Sequence, residues 1–141
     1  MSALPPTSAR SFARLSSLYY LFATPLFALF DFALGANIRV TFLDRYPSAR
    51  IVYYALAIMC GVIIRARPKF ASLVGVVESG ANIGFLIVGV FVAYMGMLDD
   101  AAGPGAIANP FTGRAIINLI ISAAWGYASY ANAMRRLARG T

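Results

Sequence analysis

The stretch "SLVGVVESGANIGFLIVGVFVAYMGML", residues 72–98, decides the fold class because nearly all of it is apolar. A helix needs about 20 mostly apolar residues to cross a bilayer, so this stretch is long enough to do so. It contains one carboxylate, Glu78. An acid surrounded by hydrocarbon has to be paired, protonated or used, so we expect it to face a neighbouring helix, from this chain or from another.

The composition of the whole chain also favours a membrane protein. Of its 141 residues, 60% are hydrophobic and 12% are charged, whereas soluble domains carry about 25% charged residues. The mean hydropathy is +0.73. One cysteine allows no internal disulfide, and the lack of histidine excludes histidine-ligated haem and Ser-His-Asp chemistry. We therefore expect one domain whose helices are surrounded by lipid.

Four apolar stretches predict an all-α membrane protein with four transmembrane helices packed as a helical bundle. The second stretch is short, and a re-entrant segment is the alternative there. The first stretch follows a basic segment, as a signal peptide would, but no signal-peptide cleavage site ends it. We therefore interpret it as an uncleaved helix. The predicted spans of this single integral membrane domain are residues 17–37, 49–65, 70–98 and 114–134, with an outer loop at 99–113 that is rich in Gly and Pro.

Lysine and arginine residues predict the orientation. Eight of the twelve lie in the N-terminal tail, between the second and third spans, and at the C-terminus, which share one side of a four-span protein. The positive-inside rule then predicts that both termini are cytoplasmic. We expect a bacterial inner membrane. An organelle inner membrane is the alternative, because the start of the chain is rich in Arg and Ser and free of acids.

Helical periodicity places the polar residues of the third and fourth spans on one face of each helix. In the third span this face also carries glycines, which allow another helix to approach closely. We expect these faces and that of Asp31 in the first span to turn inward. The candidate intramembrane polar site is Asp31, Glu78, Asn82, Asn118, Ser122 and Trp125, and the candidate helix-packing face is Gly75, Gly89 and Gly96.

The two acids are predicted to lie at different depths. Glu78 is about two turns from the cytoplasmic end of its span, and Asp31 is nearer the outer side, where Arg39 or water would meet it. Two separated acids argue against hydrolysis by paired carboxylates. Tyrosines near the span ends, among them Tyr20, Tyr53 and Tyr54, are expected in the aromatic belts of the membrane. The connection "IRVTF" is either a short strand or an interfacial turn.

The sequence leaves two classes of function open. The first is a non-catalytic packing subunit of a larger or homo-oligomeric membrane complex, with membrane lipids and other membrane subunits or copies of itself as partners. The second is a small oligomeric proton- or cation-coupled transporter or channel that uses Glu78 and Asp31. No nucleophile–base group or phosphate-binding motif indicates an enzyme, a metal or a cofactor. The basic residues cluster at span ends, which argues against nucleic acid.

Overall fold

A computed structural model describes residues 7–44, 46–100 and 112–138 of the chain. These ranges are helical apart from short connections and contain no strand, so "IRVTF" forms a turn. The helices are α1 (Thr7–Leu18), α2 (Thr24–Leu34), α3 (Pro47–Ala66), α4 (Ala71–Asp100) and α5 (Gly113–Leu137), with a π-helical turn at Tyr19–Ala23 and 3-10 turns at Thr41–Leu43 and Pro68–Phe70.

Within the described residues, three helical stretches are long and apolar enough to cross a membrane: Arg10–Leu34, Pro47–Ala66 and Pro68–Val92. An all-helical protein with membrane-length helices is therefore confirmed. The short second span is the continuous 20-residue helix α3. Helix α5 has 25 residues, but its polar stripe lowers its hydropathy. Most of the predicted outer loop, residues 101–111, lies outside the described residues.

The interior of the bundle holds many polar side chains and its surface carries many large apolar ones, the reverse of a soluble domain. Asn82, Asn118 and Ser122 have no exposed surface, whereas Phe22 is 69% exposed and Phe91 is 63% exposed. Apolar surface in water is unfavourable by about 25 cal/mol per Å². Lipid tails solvate the same surface without that penalty. The distribution of side chains therefore indicates a hydrocarbon environment around the helices.

The first rod, formed by α1 and α2, is interrupted by the π-helical turn. Pro25 follows this turn directly, in the first turn of α2. Proline has no N–H group, and its ring clashes with the carbonyl four residues earlier in a regular helix. That carbonyl belongs to Leu21, which lies in the π-helical turn. The wider turn thus accommodates the proline, and it places Tyr20 toward the interior, where its side chain is buried.

Helices α4 and α5 pack closely because small residues face each other. A Cβ atom at Gly75 would lie 2.9 Å from Cβ of Ser129 and closer still to its hydroxyl group. A Cβ atom at Gly126 would lie 3.0 Å from Cβ of Ser79. In the last turns of α5, Asn132 donates a hydrogen bond to a serine of α4. The close approach of the two backbones follows from these missing side chains.

We expect Gly75→Val to lower the free energy of unfolding by about 1–3 kcal/mol, because the added atoms overlap Ser129. The control is Gly113→Val at the start of α5, where nothing lies within 4 Å of an added Cβ atom. That variant should change the free energy by no more than about 0.5 kcal/mol. Unfolding by SDS in mixed micelles measures both. Equal effects of the two changes would contradict this packing.

The connection between α2 and α3 enters the bundle; residues 35–44 are called the inserted connection below. Gly35 has φ 63°, a left-handed conformation that reverses the chain at the end of α2. Asn37 is buried and holds the next turn: its amide donates to the Val40 carbonyl at 2.8 Å and to Asp44 at 2.6 Å. Phe42 then packs on α4, stacked on Phe85 at 5.6 Å. These contacts direct the segment inward.

Candidate functional site

The centre of the bundle holds an ion pair between Arg39 of the inserted connection and Glu78 of α4. Nη2 of Arg39 donates to Oε1 of Glu78 at 2.8 Å and to Oε2 at 3.1 Å. Nη1 donates to Asn118 at 3.1 Å and to Ser122 at 2.6 Å, both on α5. The side chains of Arg39 and Glu78 are 4% and 10% exposed. The two charges neutralise each other, which allows both to lie inside.

Two tyrosine hydroxyls complete the surroundings of the Glu78 carboxylate. Tyr53 of α3 donates to Oε1 at 2.5 Å, and Tyr20 of the π-helical turn donates to Oε2 at 3.2 Å. The Tyr20 hydroxyl accepts the indole N–H of Trp125 at 3.3 Å. The Trp125 ring stacks on Tyr19, with 4.5 Å between ring centroids. Each oxygen of the carboxylate thus accepts hydrogen bonds from two donors.

Asn82 joins the ion pair to α5. Its amide nitrogen donates to the Arg39 carbonyl at 3.1 Å and to the Tyr53 hydroxyl at 2.8 Å. Its amide oxygen accepts from Asn118 at 2.9 Å and from Ser122 at 3.1 Å. Asn82, Asn118 and Ser122 are completely buried. All four contacts of Asn82 are within the chain, so one side chain connects α3, α4, α5 and the inserted connection.

Asp31 belongs to a separate group near the start of α3. It accepts from Arg50 at 2.5 Å and from the Tyr54 hydroxyl at 3.2 Å. The Arg50 guanidinium also lies 5.4 Å above the Phe32 ring. Among the described residues, Asp31 and Glu78 share no hydrogen-bond partner. The expectation that Arg39 meets Asp31 is wrong, because the inserted connection carries Arg39 to Glu78 and Arg50 lies beside Asp31.

The structure brings together five of the six candidate polar residues and leaves Asp31 apart. Three members of the group, Arg39, Tyr20 and Tyr53, were not among the candidates taken from the sequence. Arg39 was expected near Asp31, and Tyr20 and Tyr53 were expected in the aromatic belts. That expectation is wrong for Tyr20, Tyr53 and Tyr54, whose hydroxyls face carboxylates. A buried acid in a chain that is 60% hydrophobic needs a cation as its partner. This need was the signal in the sequence that indicated an arginine near Glu78.

The candidate packing face of glycines is used within the chain. Gly75 contacts α5, and a Cβ atom at Gly89 would lie 3.0 Å from Cβ of Phe42 in the inserted connection. The surroundings of Gly96 lie outside what the structure describes. The glycines of α4 that have open space around them are Gly80 and Gly84. The inward face of α4 is therefore occupied by the protein itself, and the open glycines lie on another face.

The arrangement stabilises a buried charge and holds four segments together. Both oxygens of Glu78 and both Nη atoms of Arg39 meet hydrogen-bond partners of the same chain, as a stable buried network requires. No family model, curated protein or solved structure gave a match to this chain. Its site is therefore interpreted from the geometry alone.

Proposed function

We propose that this protein is a non-catalytic integral membrane protein that serves as a packing subunit of a larger or homo-oligomeric membrane complex. The observation that carries the proposal is the occupied carboxylate of Glu78. Arg39, Tyr20 and Tyr53 of the same chain donate to its two oxygens. A carboxylate held in this way acts as a structural acceptor, and the outer surface of the helices is left to make contacts with other proteins.

The proposal includes four spans with both termini in the cytoplasm of a bacterial cell. Mean hydropathy counts every residue of α5 equally, but its polar residues Asn118 and Ser122 are completely buried and hydrogen bonded to Arg39 and Asn82. The side of α5 that faces outward carries Ile120 and Tyr127, which are 62% and 74% exposed. A helix whose polar groups are satisfied by its neighbours can cross lipid. The orientation rests on the excess of positive residues at one end.

The surface proposed for assembly is the outward face of α4. Gly80 and Gly84 lie four residues apart, are exposed, and have nothing within 4 Å of an added Cβ atom. Their neighbours Val77 and Val88 are 60% and 57% exposed. Two glycines at this spacing allow another membrane helix to pack closely, where van der Waals contact drives association.

We expect Gly80→Leu with Gly84→Leu to lower the native mass of the protein from gently solubilised membranes, because leucines keep a second helix away. The matched control is Ala123→Leu with Ala124→Leu on the exposed side of α5, which should keep the native mass. Unfolding of both variants should match that of the original protein. A monomeric mass for the original protein, without co-purified polypeptides, would refute the subunit proposal.

A second candidate function is a small oligomeric proton- or cation-coupled transporter or channel. The observation that favours it is the pair of adjacent residues Tyr53 and Tyr54, whose hydroxyls contact different acids, Glu78 and Asp31. Intramembrane acids that contact adjacent side chains of one helix are candidates for a proton relay. In this function Asn82 and Asn118 would line the path.

Flux measurements separate the two candidates. For transport, reconstituted protein should carry protons or cations, and Glu78→Gln should abolish the flux because the charge at the centre is lost. Asp44→Asn is the control, since this substitution removes the same charge at an exposed position. For the packing subunit, the original protein and both variants should give the background flux of empty vesicles.

A further inference from the structure

A recess lies at the end of the bundle where α1 begins and α5 ends. It has a volume of about 170 Å³ and is lined by Arg10, Pro68, Lys69 and Arg136. These residues come from the first turns of α1, the turn before α4, and the last turns of α5. Nη1 of Arg136 donates to the carbonyl of Lys69 at 2.9 Å, which holds its guanidinium at the recess. Three cationic residues from three segments thus line one concave surface.

No acid in the neighbouring sequence balances this charge. Residues 1–16, 65–71 and 132–141 contain eight of the twelve Lys and Arg residues of the chain and none of its five acids. Glu78, the acid nearest to the recess along α4, already forms an ion pair with Arg39. Arg10 and Lys69 are exposed. Their charges are therefore open to an anion from outside the protein.

We infer that the recess binds the phosphate group of an anionic phospholipid. Guanidinium and ammonium groups both donate charge-assisted hydrogen bonds to phosphate oxygens. The recess lies at the ends of Arg10–Leu34 and Pro68–Val92, two stretches of membrane-spanning length and composition. The ends of such helices lie at headgroup depth, where basic pockets between helices bind lipid phosphates. This position favours a lipid over a phosphate ion from solution.

Native mass spectrometry of the purified full chain with equimolar phosphatidylglycerol and phosphatidylcholine tests the inference. We expect preferential retention of phosphatidylglycerol. Arg10→Gln with Lys69→Gln should reduce that retention by about tenfold or more, since each cation near a charged headgroup contributes to binding. The control Arg65→Gln with Arg67→Gln removes the same charge at the same end but outside the recess, and should reduce retention by no more than about twofold.

Both double variants keep Arg136 and its bond to the Lys69 backbone. If their unfolding transitions are unchanged, a folding defect is excluded as the cause of reduced lipid retention. Equal losses in the two variants would show diffuse attraction of charge and overturn the site. Equal retention of the two lipids by the original protein would also overturn it. Displacement of bound phosphatidylglycerol by millimolar inorganic phosphate would assign the recess to free phosphate instead.

Discussion

Replacing Arg39 with methionine is expected to lower the free energy of unfolding by about 3–5 kcal/mol, because it leaves Glu78 as an uncompensated buried charge. The same change removes the donors to Asn118 and Ser122. Unfolding by SDS in mixed micelles measures the loss. Trp125, the single tryptophan of the chain, reports it by fluorescence because it is hydrogen bonded to Tyr20 beside the ion pair.

Two further variants show whether the loss comes from the unpaired charge. Arg39→Met combined with Glu78→Met removes both charges, and apolar replacement of a buried ion pair is often close to neutral, so we expect a large part of the stability to return. Arg135→Met tests the loss of an exposed arginine and should change the free energy by no more than about 0.5 kcal/mol. A loss below about 1 kcal/mol in Arg39→Met would contradict a structural role of the pair.

The second large effect is expected at Asn82. Asn82→Leu keeps a similar side-chain size and removes four hydrogen bonds, two donated and two accepted. Hydrogen bonds between membrane helices contribute about 0.6 kcal/mol on average, so their combined loss is about 2–3 kcal/mol. The same unfolding titration measures it. The midpoint of unfolding should move to a lower fraction of SDS. The inserted connection should also be held less firmly, because the Arg39 carbonyl loses its hydrogen-bond donor.

Asn132→Leu provides the matched control, since Asn132 makes one hydrogen bond, to Ser72 at 2.7 Å. We expect this variant to lose no more than about 1 kcal/mol. If the two asparagine variants unfold alike, the central network contributes no more than an ordinary contact between helices. The comparison thus measures the contribution of the network rather than that of one amide in a helix.

Several features of the bundle could be predicted from the sequence because they depend on local periodicity. Glu78 and Asn82 are four residues apart, and so are Asn118 and Ser122, so each pair shares a helix face. Polar groups in hydrocarbon need partners from other segments. Helix geometry and that requirement together were enough to expect the two pairs in one interior, although they did not identify which atoms would meet.

Other features could not be predicted because they depend on irregular backbone and on side chains with two suitable environments. Arg39 reaches Glu78 only because Gly35 reverses the chain and Asn37 holds the following turn. No repeat of apolar residues marks such a path. Tyr20 and Tyr53 have an apolar ring and a polar hydroxyl, which suit the membrane interface and a buried acid equally well.

The sequence alone determined that the chain is helical and has stretches able to cross a bilayer, because the length of an apolar run and the need to satisfy backbone groups in lipid leave few other structures. Only the tertiary structure decided which cation neutralises which acid: Arg39 for Glu78 and Arg50 for Asp31. The physical reason is that an ion pair depends on atoms a few ångströms apart. Their approach is set by the path of the connection between α2 and α3, far outside the range of helical periodicity.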